Sequence, residues 1–155
     1  MFEKTMPRKA EHVKTVIEKD VEYSASAGFE SVKFLHYALP ELDYDDIDTS
    51  TSFLGKKLQA PFLVTGMTGG YDEAEKINKE IAEACELEGI AFALGSQRAM
   101  IEKPELAKTY KVHDVAPSIF LAGNIGGFQA KKYSTNQIQE MLDAVEADAL
   151  CVHLN

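Results

Sequence analysis

The sequence predicts an α/β fold: the first four or so β/α units of a (β/α)8 barrel, the TIM-barrel class, behind a helix and hairpin extension. Three observations carry this. Residues 62–66, 90–94, 119–122 and 149–154 are short apolar runs of the kind that form buried parallel strands. Helical patterns separate them. Gly66, Gly95, Asn124 and His153, each at or just past the end of a run, follow one another at intervals of 29 residues, the length of one strand plus helix unit.

Equal unit lengths favour a closed barrel over an open sheet, and eight such units need ~250 residues, so this chain supplies about half of them. A four-stranded open parallel sheet is the alternative, with two unpaired edges.

The elements follow in order. Residues 1–60 form the extension, in which Pro7 precedes a helical pattern with Val13, Val16 and Ile17 on one side and Arg8, Lys9 and His12 near its start. Residues 49–58, with Gly55-Lys56-Lys57 as turn, read as a β-hairpin placed to close the bottom of the barrel. The barrel portion, residues 61–155, begins at Pro61. Its first helix carries a stripe of Ile77, Ile81, Ala84 and Cys85, opens on an Asp72-x-x-Glu75 capping box and stops at Gly89. A shorter helical stretch follows Pro104 through Leu106 and Tyr110. The last helix opens on Ser134-x-x-Gln137 and presents Ile138, Met141, Leu142 and Val145.

The composition is that of an ordinary soluble domain: 155 residues, 45% hydrophobic and 26% charged. A net charge of −9 has the wrong sign for gripping nucleic acid or an anionic membrane. Much of it is local, with seven acids and two lysines within residues 72–88, so a small anionic substrate stays compatible. No apolar run approaches the ~20 residues that cross a bilayer, and the start lacks a signal-peptide core, which predicts a cytoplasmic protein. Cys85 and Cys151 lack metal-ligand spacing and read as two reduced, buried thiols.

Seven of the ten glycines cluster at the strand ends, where ligands approach the backbone in α/β folds. That places function on this rim. Its segments Thr65-Gly66-Met67-Thr68-Gly69-Gly70, Gly95-Ser96-Gln97-Arg98, Gly123-Asn124-Ile125-Gly126-Gly127 and His153-Leu154-Asn155 offer hydroxyls, amides, a guanidinium, an imidazole and backbone N–H groups. Such a set suits a planar, hydrogen-bonding cofactor beside a phosphorylated substrate. Walker A, G-x-G-x-x-G, H-E-x-x-H, C-x-x-C and G-x-S-x-G patterns are all absent, which leaves the commonest nucleotide, zinc and serine-hydrolase readings without their motif. In the last strand, alternation puts Cys151, His153 and Asn155 on one face and Leu150, Val152 and Leu154 on the other. Taken alone, His153 is as compatible with a hydrogen-bonded core residue as with a ligand contact.

Six segments in order, Arg8-Lys9-x-Glu11-His12, His36-x-Ala38-Leu39-Pro40-Glu41, Asp48-Thr49-Ser50-Thr51, Gly66-Met67-Thr68-Gly69-Gly70, Gly95-Ser96-Gln97-Arg98 and His153-Leu154-Asn155, resemble the amino-terminal half of the type 2, FMN-dependent isopentenyl-diphosphate delta-isomerase family. The resemblance implies an isoprenoid-biosynthesis flavoprotein that interconverts isopentenyl and dimethylallyl diphosphate with reduced FMN and Mg2+, and with NADPH or another reductant. It implies that Thr65, Gly66, Met67 and Thr68 lie along the flavin, with Ser96 and Asn124 bonded to its ring. It further implies that Arg8, Lys9, Ser96, Gln97 and Arg98 bind the diphosphate, and that His153 and Asn155 contact substrate. By the same resemblance no protein group moves the proton, since the flavin does so. The family's metal-binding Glu falls beyond Asn155, so no metal ligand is expected here.

A half barrel leaves open edges, which favours a homo-oligomer and a chain inactive by itself. Two other readings stand beside this one: a different FMN-dependent barrel oxidoreductase, and a non-catalytic half-barrel module that assembles with a partner half.

Overall fold

A computed structural model describes residues 5–154, without the side chains of residues 5–10. The fold is mixed α/β. Helix α1, Thr5–Glu18, is followed by irregular chain with 3-10 turns at Phe29–Ser31 and Tyr44–Asp46. Strands β1, Thr51–Phe53, and β2, Lys56–Leu58, form an antiparallel hairpin. Then β3 (Leu63–Val64), α2 (Glu73–Glu88), β4 (Ala91–Ala93), α3 (Arg98–Glu102), a 3-10 segment (Pro104–Tyr110), β5 (Leu121–Gly126), α4 (Gly127–Ala130), α5 (Thr135–Asp143) and β6 (Ala149–His153) alternate along the chain. The four later strands make one parallel sheet in the order β3-β4-β5-β6. That is the order consecutive β/α units give.

Register assigns the faces. Leu63 stands opposite Ala91, Phe92 opposite Leu121, Ala93 opposite Ala122, and Ala122 opposite Ala149. On one face Ala91, Ala93, Phe120 and Ala122 bury together with Leu58 of the hairpin, and Leu63 and Ala149 pack beside them. On the other, Phe92, Leu94, Leu121 and Ile125 join Cys85, Tyr110, Val112, Met141 and Val145 to form the main core under the helices. The inner face thus carries four alanines beside Phe120, Leu58 and Leu63. The hairpin covers its lower end: Phe53 meets Phe120 edge-on, with ring centroids 5.0 Å apart, and Lys56 Nζ donates to Ile119 O and Asp148 Oδ2, both at 2.8 Å. These contacts are made at the amino-terminal end of the strands.

Several details differ from expectation. The hairpin turns at Leu54-Gly55, not at Gly55-Lys56-Lys57, because both residues take positive φ (46° and 87°), the turn whose twist matches paired strands. Asp72 forms no capping box: it is itself helical, and the carbonyls of Tyr71 and Asp72 accept the first free N–H groups, from Ala74 and Glu75. Glu75 instead lies 3.2 Å from Lys79. The buried stripe of α2 is Ala74, Asn78, Ala82 and Cys85, while Ile77 and Ile81 are half-buried and Ala84 is exposed. Helices α3 and α4 were not expected, and the third strand of the sheet runs on to Gly126, since β6 pairs with it through five residues. Cys85 is buried as expected, and burial raises its thiol pKa. Cys151 is exposed, because the inner face it occupies is uncovered at that level.

Gly89 closes α2 in the left-handed conformation, and its N–H bonds Glu86 O. Ser134 and Gln137 form the full capping box of α5, side chain to backbone in both directions. Ser134→Ala removes that cap, and thermal unfolding should show a loss of about 1 kcal/mol.

Candidate functional site

The carboxyl ends of the four strands lie side by side along one edge of the sheet. Thr65, two residues after inward-facing Leu63, is exposed there. Asn124, Cys151 and His153 share the same inner face by register, since Ala122 pairs with Ala149 and Asn124 with Cys151. Ser96 heads the loop after β4. Ser96, Asn124 and His153 are each half-buried, and Met67 is 64% exposed. Hydroxyl, amide and imidazole groups therefore stand above a floor of alanine side chains. A flat polar ring could lie across such a floor, because Ala93 and Ala122, the inner-face residues two before Gly95 and Asn124, are small.

Two rim glycines have a local cause. A Cβ on Gly66 would sit 2.0 Å from Leu94 O, and one on Gly95 2.4 Å from Thr68 O, so these two backbones cross in contact. The Gly95 N–H donates to Thr68 O at 3.2 Å.

Beneath the rim lie the four buried polar residues among those described: Thr68, Asn78, Gln97 and Thr109. Thr68 Oγ1 donates to Asn78 Oδ1 at 2.5 Å, and Asn78 Nδ2 donates to Thr109 O at 2.7 Å. The Gly70 N–H donates to Thr109 Oγ1 at 2.9 Å, and that hydroxyl donates to Leu106 O at 2.8 Å. Tyr110, fully buried, donates its hydroxyl to Ser96 O at 2.9 Å, and its ring lies against Gly69. Burial raises the Tyr110 pKa far above the ordinary phenol value, an effect Arg98 only partly opposes, so the donor stays protonated. Gln97 is also fully buried. Its Oε1 accepts from Asn124 N at 2.9 Å, its own N–H donates to Asn124 O at 2.8 Å, and its Nε2 reaches Met141 O at 3.4 Å.

The structure brings Thr65, Gly66, Met67, Ser96, Asn124 and His153 to one rim. It directs the Thr68 hydroxyl and the Gln97 amide below that rim into the protein. Arg98 opens α3, partly exposed, with Nε 3.7 Å from Glu102 Oε1. Arg8 and Lys9 lie in α1, but their side chains are outside the described ones, and Asn155 lies outside the described residues. Sequence reasoning missed Asn78, Thr109 and Tyr110. The signal for Asn78 was available, a single amide with Ala74 four residues before it and Ala82 four after it on the inward side of an amphipathic helix.

No protein-family model matches the chain. Its whole length is similar to curated proteins named isopentenyl-diphosphate delta-isomerase. The Pyrococcus abyssi protein is 45% identical over 100% of this chain and 44% of its own length. The Pyrococcus horikoshii protein is 47% identical over 99% and 43%, and the Rickettsia canadensis protein 47% over 96% and 44%. The chain thus spans less than half the length of the relatives it matches.

Proposed function

We propose that this chain forms the amino-terminal β/α units of an isopentenyl-diphosphate delta-isomerase of the FMN-dependent type, interconverting isopentenyl and dimethylallyl diphosphate. What carries the reading is that the four rim segments picked out for a flavin and a diphosphate converge on one edge of a parallel sheet, in a chain 45–47% identical to proteins of that name.

The register supports a barrel rather than an open sheet. Partners across the three pairings differ by 28, 29 and 27 residues (Leu63 with Ala91, Phe92 with Leu121, Ala122 with Ala149), against a chemical repeat of 29. The offsets are one, none and two residues, three over the three pairings, which agrees with the mean stagger of eight strands closing with a shear of 8. Val152, 46% exposed, and the half-buried Val64 and Ile81 lie at the two open sides, where further units would pack.

The residues present fit FMN. Thr65, Ser96 and Asn124 supply a hydroxyl, a hydroxyl and an amide for ring carbonyls and nitrogens above the alanine floor. Met67 covers that face from water. Reduced FMN would supply the proton exchange at the substrate's double bond. The chain's own residues bind and orient: Arg98, with Arg8 and Lys9 of α1, neutralises the diphosphate, Ser96 donates to it, and His153 and Asn155 position the hydrocarbon end. Gln97 takes part through its backbone, with its side chain turned inward to hold Asn124. Among the described residues no cluster of three or more His, Cys, Asp or Glu is placed to hold a metal. In this reading Mg2+ would help to neutralise the diphosphate, and NADPH or another reductant would keep the flavin reduced. The substrate is a small molecule. Among the described residues no helix is long and apolar enough to cross a membrane.

The test measures isomerisation by this chain alone and mixed with the separately expressed carboxyl-terminal part of the Pyrococcus abyssi relative, both with FMN, reductant and Mg2+. Activity in the mixture and none in the chain alone is expected. A stoichiometric complex with neither flavin absorbance nor isomerisation overturns the reading. Steady hydride transfer without isoprenoid substrate would instead select an oxidoreductase. In the active mixture, Arg98→Lys should raise KM for the diphosphate about tenfold, because an ammonium cannot replace a two-pronged phosphate contact.

A further inference from the structure

We propose that Asn78 is a positioning residue for the rim, holding the 66–70 loop from below so that Thr65, Gly66 and Met67 line the cofactor face. The inference rests on the proposed site but concerns a residue that belongs to none of the rim segments: Asn78 lies on the helix that follows the first of them.

Its basis is the distribution of buried polar groups. A core amide is retained at a cost unless its bonds are made, and Asn78 is 2% exposed within a stripe of Ala74, Ala82 and Cys85. Packing alone would be served by leucine. The Asn78 side chain instead accepts from Thr68 and donates to Thr109, whose hydroxyl in turn accepts from the Gly70 N–H. The middle of the 66–70 loop, at Thr68, and its far end, at Gly70, are thereby tied to one side chain and the residue it holds. The tie matters because β3 contributes only two residues of sheet and the chain turns at once through Gly69 and Gly70, both at positive φ (143° and 80°). The same 3-10 segment carries Tyr110, whose hydroxyl holds Ser96 O. One buried network thus sets the spacing between the 66–70 loop and the loop after β4.

The test compares Asn78→Leu and Asn78→Asp with Val112→Ala, a core substitution outside the network chosen as a stability control. Asp keeps an acceptor for Thr68 and loses the donor to Thr109. In the chain itself, amide hydrogen exchange at Gly70 and Gly95 should speed up at least tenfold in Asn78→Leu, and less in Asn78→Asp, relative to the amides of β4 and β5. Val112→Ala should speed all of these together. In the reconstituted mixture Asn78→Leu should weaken FMN binding about tenfold and shift the flavin spectrum, and Val112→Ala should do neither. If Asn78→Leu changes rim and core exchange in equal proportion, as the control does, the proposal is overturned. If unsubstituted protein binds no FMN, the functional reading fails, and the exchange pattern alone decides the role of Asn78.

Discussion

Gly66→Ala should detach β3 from the sheet and lower stability by about 3 kcal/mol, near the upper end for forced overpacking. The added Cβ would stand 2.0 Å from Leu94 O, 2.1 Å from Leu94 C and 2.5 Å from Ala93 O. All three are backbone atoms of the neighbouring strand, so no side-chain rotation relieves the clash. Only separation of the strands does, and β3 holds β4 through just two paired residues, Leu63 and Val64. For a chain of this size, thermal unfolding should fall by roughly 6–12 °C. Gly28→Ala is the comparison. Gly28, unlike Gly66, has positive φ (89°), but a Cβ there meets nothing within 4 Å, so it should cost about 1 kcal/mol. Equal effects of the two substitutions would show that the crossing of two backbones is not what requires glycine at position 66.

Phe120→Ala should cost about 4 kcal/mol, measured by urea unfolding, and should release the hairpin. Phe120 is 2% exposed and packs among Leu58, Leu63, Ala91, Ala93, Ala122 and Ala149. Its strand neighbours on that face are alanines, which cannot reach into the space it leaves. Its ring also receives the edge of Phe53. Phe53→Ala, at a ring already 41% exposed, should cost about 1–2 kcal/mol, in proportion to the area it buries. Neither substitution removes a partner of the Lys56 link to Asp148 and Ile119 O. If Phe120→Ala proves as mild as Phe53→Ala, the hairpin is held by that polar link and not by the aromatic plug.

Much of the architecture was legible because it repeats. A strand buried on both faces must be apolar throughout, a helix beside it must be apolar along one stripe, and the unit length must be constant if the units pack alike. Hence the four strands, their parallel order, the α5 capping box and the Gly89 stop follow from residue type and spacing. The Asp72 box failed because helical backbone had already reached Asp72, and a motif of two residues carries no information about that. The turn at Leu54-Gly55 was missed because leucine rarely accepts positive φ, and only the pairing of Phe53 with Lys56 requires it.

The candidate site divides along the same line. Sequence by itself determined which segments reach the rim and what chemistry they carry there: Thr65, Ser96, Asn124 and His153 fall at strand ends because the repeat puts them there. Tertiary structure alone decided which way their neighbours point. Thr68 and Gln97 sit in the same segments as exposed rim residues, yet their side chains turn inward to Asn78 and to Asn124. The reason is physical. Polar groups of a loop between packed layers must be satisfied, and the partners meet only when the helices close over the sheet: Thr109 and Tyr110 of the 3-10 segment bond the Gly70 N–H and Ser96 O, and Asn78 on α2 takes the Thr68 hydroxyl.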